Sequence, residues 1–344
     1  MTHGETESSS PKARPNQTAG RRRARRALAL AATALGLALG AAPALGASAQ
    51  QIIATLNSQR AANGIPAGIT ENAAWSTDCQ LHDIYEHLNS VFGHEETEGK
   101  SGYTAQGNLI AQTSVLAEGI TWGAGDPYNN APYHLFDLLN PRMSSTGAAD
   151  YSGFGCVEIE LGTLRAAPAS PVAYSYPGNG RTGVPASQTA HELPMAPAQT
   201  VGLGNRATGP NLFVYFDGPW SNGSRVQVLS ASLISAHGSV ALRWLDNTTS
   251  NLLAPTGAIL VPVSRLRTRT TYHVTVTGTV LGVMPGTSIE QALASCGVPE
   301  AGGVNCGAPP AITCVENFAA QLPLCGLSHT WDVSDRFSFT TGRR

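Results

Sequence analysis

The stretch Ala131-Pro132-Tyr133-His134, closed by Leu138-Leu139-Asn140-Pro141, decides how this chain reads. Its apolar positions predict a short helix over 133–139 that stops before Pro141, because a proline pushes the residue ahead of it out of the helical region. Forty residues upstream, a second histidine stands in Phe92-Gly93-His94-Glu95. Downstream, Gly153-Phe154-Gly155 marks a turn, and residues 155–161 then alternate like a strand.

Further out, apolar residues recur at helical spacing. Ile52, Ile53 and Leu56 share one face of a first helix, which Asn63-Gly64 ends as a cap. Thr70-Glu71-Asn72-Ala73 opens a second helix, which carries Cys79-Gln80-Leu81-His82-Asp83-Ile84-Tyr85. Residues 165–171 read as a linker by composition. Beyond them the period is two: 212–216, 225–233, 239–245, 258–263, 271–280 and 336–340 read as strands separated by Gly, Pro and Asn. That pattern predicts an antiparallel sandwich.

The order of the helical run, the two histidines, Leu138-Leu139-Asn140-Pro141 and the glycine turn resembles the CAP superfamily (cysteine-rich secretory, antigen 5 and pathogenesis-related proteins) in its bacterial secreted branch. A second resemblance begins at Tyr176-Pro177-Gly178-Asn179-Gly180-Arg181-Thr182-Gly183-Val184-Pro185. Together with 266–276 and the terminal Phe337-Ser338-Phe339-Thr340-Thr341-Gly342, this is similar to a bacterial immunoglobulin-like domain. The expected class is therefore α+β. The resemblances imply a CAP α/β/α sandwich over 50–164 and an all-β immunoglobulin-like sandwich over 172–344, with a Cys-rich insertion at about 281–330.

Residues 1–49 read as an export signal. Arg21-Arg22-Arg23-Ala24-Arg25-Arg26 precedes an uncharged, Ala-rich run, and Ala47-Ser48-Ala49 has the small-x-small pattern of a cleavage site. The run is broken by Gly36, Gly40 and Pro43, so cleavage is expected and no stable membrane span after it. The expected location is outside the cell or at its envelope. The whole chain has 21 basic and 23 acidic residues; residues 50–344 keep 14 basic and 21 acidic ones. Nucleic acid needs clustered Lys and Arg. Residues 50–344 offer only Arg265, Arg267 and Arg269, read as alternating along one strand face, so a nucleic-acid partner is not expected.

Six cysteines beyond an export signal read as disulfides, and none forms a Cys-x-x-Cys pair. Cys296, Cys306, Cys314 and Cys325 fall in the insertion, where four cysteines permit three pairings. The expectation is neighbour pairing, 296 with 306 and 314 with 325. Cys79 and Cys156 remain for the first domain, where a bond would close a large loop worth about 4 kcal/mol in the chain-entropy account.

In CAP proteins two histidines and two acidic residues line a cleft, and some members hold a divalent metal there. The resemblance carries the histidines onto His94 and His134, and one acid onto Asp126. The second acid, normally in a Gly-Glu-Asn triplet, falls on an amide, Asn108 or Gln112 depending on register. Two imidazoles, one carboxylate and an amide make a weaker Zn²⁺ site than the full set. Ser114 with His134 is the one nucleophilic pair to consider, without a sharp turn to expose the serine. His82 reads as a packing or capping residue, Glu95, Glu96 and Glu98 as a wet acidic loop, and Trp75 and Trp122 as core. No nucleophile elbow, His-Glu-x-x-His or phosphate loop occurs. No residue is assigned a catalytic role.

The expected function is non-enzymatic binding of a small apolar or lipid-like ligand, or of a protein partner, at the cell envelope. The alternatives are a metal-dependent hydrolase of peptide or cell-wall material using the CAP cleft, and an extracellular adhesive module.

Overall fold

A computed structural model describes residues 46–119, 122, 126–220, 224–250, 252–253, 256–283, 312–315 and 324–343. The class is α+β. Helix α1 (Ala49–Ala62) is followed by β1 (Thr70–Glu71), α2 (Ala73–Asn89) and α3 (Ala105–Ala111). Strand β2 (Ser114–Glu118) leads to a 3₁₀ turn (Pro127–Asn130) and to α4 (Pro132–Leu138). Three strands close this part: β3 (Ser145–Thr146), β4 (Ala148–Tyr151) and β5 (Phe154–Glu158). β2, β5 and β4 form an antiparallel sheet in that order, and β1 pairs with β3 in parallel. Among the described residues no helix is long and apolar enough to cross a membrane.

The helices begin where short polar side chains can satisfy free amides. Ser48 and Gln51 form a reciprocal capping box on α1, and Asn72 accepts from the first amides of α2. α1 ends at Asn63, ahead of Gly64 at φ 72°. The Ala47 amide donates to Asp150. Residues 46–49, grouped with the export signal on sequence grounds, are thus described with the folded part, Ala49 opening α1; residues 1–45 lie outside the described residues. Cys79 on α2 is bonded to Cys156 on β5.

The second half builds two facing sheets. The first runs β11 (Leu242–Asp246), β12 (Gly257–Pro262), β8 (Leu212–Asp217), β6 (Val172–Tyr176). The second runs β10 (Gly238–Val240), β9 (Arg225–Ser235), β13 (Thr271–Val283), β15 (Leu324–Thr341), β14 (Ile312–Val315), and β7 (Arg181–Val184) pairs with β15 in parallel. A short α5 (Pro197–Thr200) lies between β7 and β8. The run 239–245, expected as one strand, is two: β10 pairs with β9 and β11 with β12, so the chain changes sheet near Ala241. Arg265, Arg267 and Arg269, expected on a strand, occupy the connection between β12 and β13. β13 and β15 pair from Thr271 opposite Thr340 to Val283 opposite Ser328, which makes the two ends of the expected insertion continuations of these strands. The β14–β15 register sets Cys314 opposite Cys325; Cys296 and Cys306 lie outside the described residues.

One layer decides how the site is positioned. Every residue of β8 and β12 is buried. Leu212, Val214, Phe216, Ala258 and Leu260 face the second sheet, in a core with Val274, Val276 and Phe337. Phe213, Tyr215, Ile259 and Val261 face the other way, in a core with Ile52, Leu56, Leu135 and Phe136. The Phe136 ring stacks on Tyr215, whose hydroxyl donates to the Phe136 carbonyl. Phe136 also lies so close to β12 that a β-carbon at Gly257 would overlap its ring. Arg142 reaches Asp217, and Asn63 accepts from the Gly178 amide. The apolar core therefore does not divide at residues 165–171; the helices cover a sheet whose other face is already packed.

Candidate functional site

His134 sits on α4, a helix begun by Pro132 and ended ahead of Pro141. Its ring stacks on Tyr128 of the 3₁₀ turn, with centroids 5.8 Å apart. Tyr128 is buried, donates to the Val115 carbonyl and packs edge-on against Trp122. The His134 Nδ1 lies 3.0 Å from the Glu192 carboxylate, whose side chain is fully buried. The same Glu192 oxygen accepts from the Tyr133 amide. Burial raises the Glu192 carboxyl, and its hydrogen bonds to His134 and to the Tyr133 and His134 amides and the charge of His134 offset only part of that rise. Where Glu192 is a carboxylate it accepts from Nδ1, and in the neutral imidazole Nε2 is then the acceptor. This is how imidazoles are oriented for proton transfer or ligand contact.

Glu192 was not read from the sequence as a site residue. It reaches α4 because the segment before it is pinned to the 3₁₀ turn, by Gln188 donating to the Asn129 carbonyl and the His191 amide to that of Asn130. One signal was present: Glu192 is the only acidic residue between Glu160 and Asp217. Neither a family model nor a curated protein matches the chain.

The other expected site residues do not converge on His134. His94 is exposed, and its Nδ1 donates to the Ala111 carbonyl at the end of α3. Asp126 caps the 3₁₀ turn, accepting from the Tyr128 amide and from Gln59, and burial raises its carboxyl. Asn108 accepts from the Glu96 amide, and Gln112 is an exposed cap of α3. Among the described residues no three His, Cys, Asp or Glu side chains form a metal-binding group. Of the donors expected for Zn²⁺, Asp126, Asn108 and His94 Nδ1 are engaged in holding turns and loops and His134 Nδ1 is held by Glu192, so these residues do not meet as one ligand set for that ion. The Ser114 hydroxyl is buried and donates to the Ile110 carbonyl, which removes it as a partner for His134.

Beneath the His94 loop lies a buried polar cluster. Glu96, expected in a wet loop, is buried, unlike Glu95 and Glu98. His82, fully buried on α2, places Nδ1 3.0 Å from Glu96 and Nε2 3.0 Å from the Gly93 carbonyl, with Glu86 at 3.5 Å. Glu96 also accepts from the Thr104 amide, Glu86 from the Gly93 amide, and the Tyr85 hydroxyl from the Thr97 amide. A loop of 15 residues between two helices is thus tied down along α2. Gly107 is required there, since a β-carbon would strike Glu96 and Thr104.

Burial disfavours the charged His82, but hydrogen bonds and the charges of Glu86 and Glu96 outweigh it and raise the imidazole. A raised basic group stabilises the fold in full below its unfolded value, about 6.5, and that contribution is lost as pH rises through the folded value. Asp83, pushed well up by burial and then by Glu86 and Asp150, moves stability in the same direction. Thermal melts are therefore expected to run lower at about pH 9 than at about pH 6. His82→Gln should lower the melt at the acid end and shrink the difference. An undiminished difference in that variant would assign the dependence to other groups.

Proposed function

We propose that this is a secreted or envelope-associated binding protein of the CAP kind, with a CAP-like domain over 50–164, a connection at 165–171 and an immunoglobulin-like sandwich over 172–344. Its ligand is a small apolar or lipid-like molecule, or a protein partner, taken up beside the His94 loop. One observation carries the reading. His94 Nδ1, Asn108 and Asp126 are engaged in holding loops and turns, while Leu88 in the last turn of α2, Val91 and Phe92 just past it and Leu109 on α3 stay exposed. Apolar side chains grouped on a surface commonly mark a contact site. The sandwich assignment draws on two facing sheets, antiparallel apart from the β7–β15 pair, and on Tyr272, a buried tyrosine at the start of β13 whose hydroxyl accepts from the Arg267 amide.

A second reading, hydrolysis of peptide or cell-wall material, is favoured by the Glu192–His134 pair, which leaves Nε2 free to take a proton. The reaction would then be metal-independent.

Native mass spectrometry after incubation with envelope lipids separates the two. The binding reading expects an added mass on the wild type, lost in Phe92→Ser/Leu109→Ser at unchanged circular dichroism. A folded wild type that takes up nothing, together with release of cell-wall fragments that survives chelator and stops in His134→Ala, would replace binding with hydrolysis.

A further inference from the structure

At the end of the two facing sheets where β13 begins and β15 finishes, the connection 263–270, the edge of β7 and the β9–β10 turn line a half-open cavity of about 760 Å³. Arg265, Arg267 and Arg343 line it, joined by His237 and the hydroxyls of Thr268 and Thr270. No acidic residue is among its lining. Among the described residues the three arginines take part in no ion pair. Like charges gathered in one concavity repel each other, so such a site is at its most favourable with an anion inside it.

The backbone that presents these arginines is anchored. Leu266, between Arg265 and Arg267, is buried and its amide donates to the Ala186 carbonyl. The Arg267 amide donates to the Tyr272 hydroxyl, and its carbonyl accepts from Thr341. Arg269 takes the left-handed conformation, φ 51°, and its amide donates to the Gly342 carbonyl. That reversal ends the alternation: Arg265 and Arg267 line the cavity and Arg269 does not. Charge is also unevenly spread along the chain: residues 50–171 hold 4 basic and 13 acidic side chains, residues 172–344 hold 10 and 8.

We propose that this cavity binds a saccharide-sized ligand bearing two or more phosphate or sulfate groups. Guanidinium is charged at every physiological pH and meets tetrahedral oxyanions through paired N–H donors. The volume lies in the range of small-ligand pockets, about 300–1,000 Å³. The site is separate from the histidine region, and neither reading depends on the other.

Calorimetry on the full chain at low salt, with inorganic pyrophosphate and with a trisulfated disaccharide, tests it. Binding is expected with a Kd on the order of 10 μM for at least one probe, weakening with added salt. Arg265→Ala/Arg267→Ala and Arg343→Ala should each weaken it tenfold or more, and Arg225→Ala, exposed and outside the lining, should not. Response to pyrophosphate alone assigns a phosphate ligand, and response to the disaccharide a sulfated sugar. If neither probe binds the folded wild type, or if binding persists unchanged in the double variant, the proposal fails.

Discussion

Arg60→Leu is expected to destabilise the protein by about 4 kcal/mol, read as a shift in the urea midpoint with little change in slope. Arg60 is fully buried in the last turn of α1, and among the described residues no carboxylate meets it. Its guanidinium donates to three carbonyls instead, those of Pro66, Leu138 and Asn140. Leu138 is the last residue of α4, where the helix dipole is negative and the carbonyls lack partners within the helix, and Asn140 follows just beyond it. Burial lowers the group to about 10, so it is charged at neutral pH. Leucine fills part of the volume and leaves the Pro66 and Leu138 carbonyls dry, at about 1–3 kcal/mol each, while the Asn140 carbonyl keeps the Met143 amide; the loss is offset in part by no longer burying a charge. Arg60→Lys should recover only a fraction, since a single ammonium cannot span the three oxygens. A loss below about 1 kcal/mol would mean that water reaches these carbonyls.

Removing the Cys79–Cys156 bond carries a loss of similar size. The bond closes a span of 77 residues, for which the chain-entropy account gives about 4 kcal/mol at 25 °C. Cys79→Ala/Cys156→Ala avoids leaving buried thiols, and reduction of the wild type gives an independent comparison. Both sulfurs lie in a small core with Ile110, Leu116 and Ala149, at the junction of α2 with the sheet. The native contacts there should outlast the bond, so the double variant should fold and melt earlier. A negligible shift would point to a denatured chain already compact around this region.

Where local chemistry decides, the sequence was legible. Asn72 and Asn63-Gly64 bound helices as their side chains and conformations require, and α4 ends ahead of Pro141. Alternation located β9 and β13 closely. The crossing of 239–245 from one sheet to the other was not legible, because inward and outward positions keep alternating through such a bend. The unbroken apolar runs 212–216 and 258–261 were a clue not used. A strand with one wet face alternates, whereas one buried on both faces does not, and these are the strands covered by α1 and α4. At the site, resemblance named His134 but could not supply Glu192, which reaches it across 58 positions. Glu96 was misread for a related reason. Three glutamates within four residues look alike in sequence, and only the one facing His82 is withdrawn from water.

The doubly covered sheet has a mechanical consequence. A receptor head mounted on an independent stalk would yield under tension in separate steps, the weaker module first. Here the middle layer belongs to both sides, so tearing the helices away strips the wall from Phe213, Tyr215 and Ile259. Pulled from its ends, the molecule should hold as one block and then give way in a single rupture, and any ligand held beside the helices would be released only at that force.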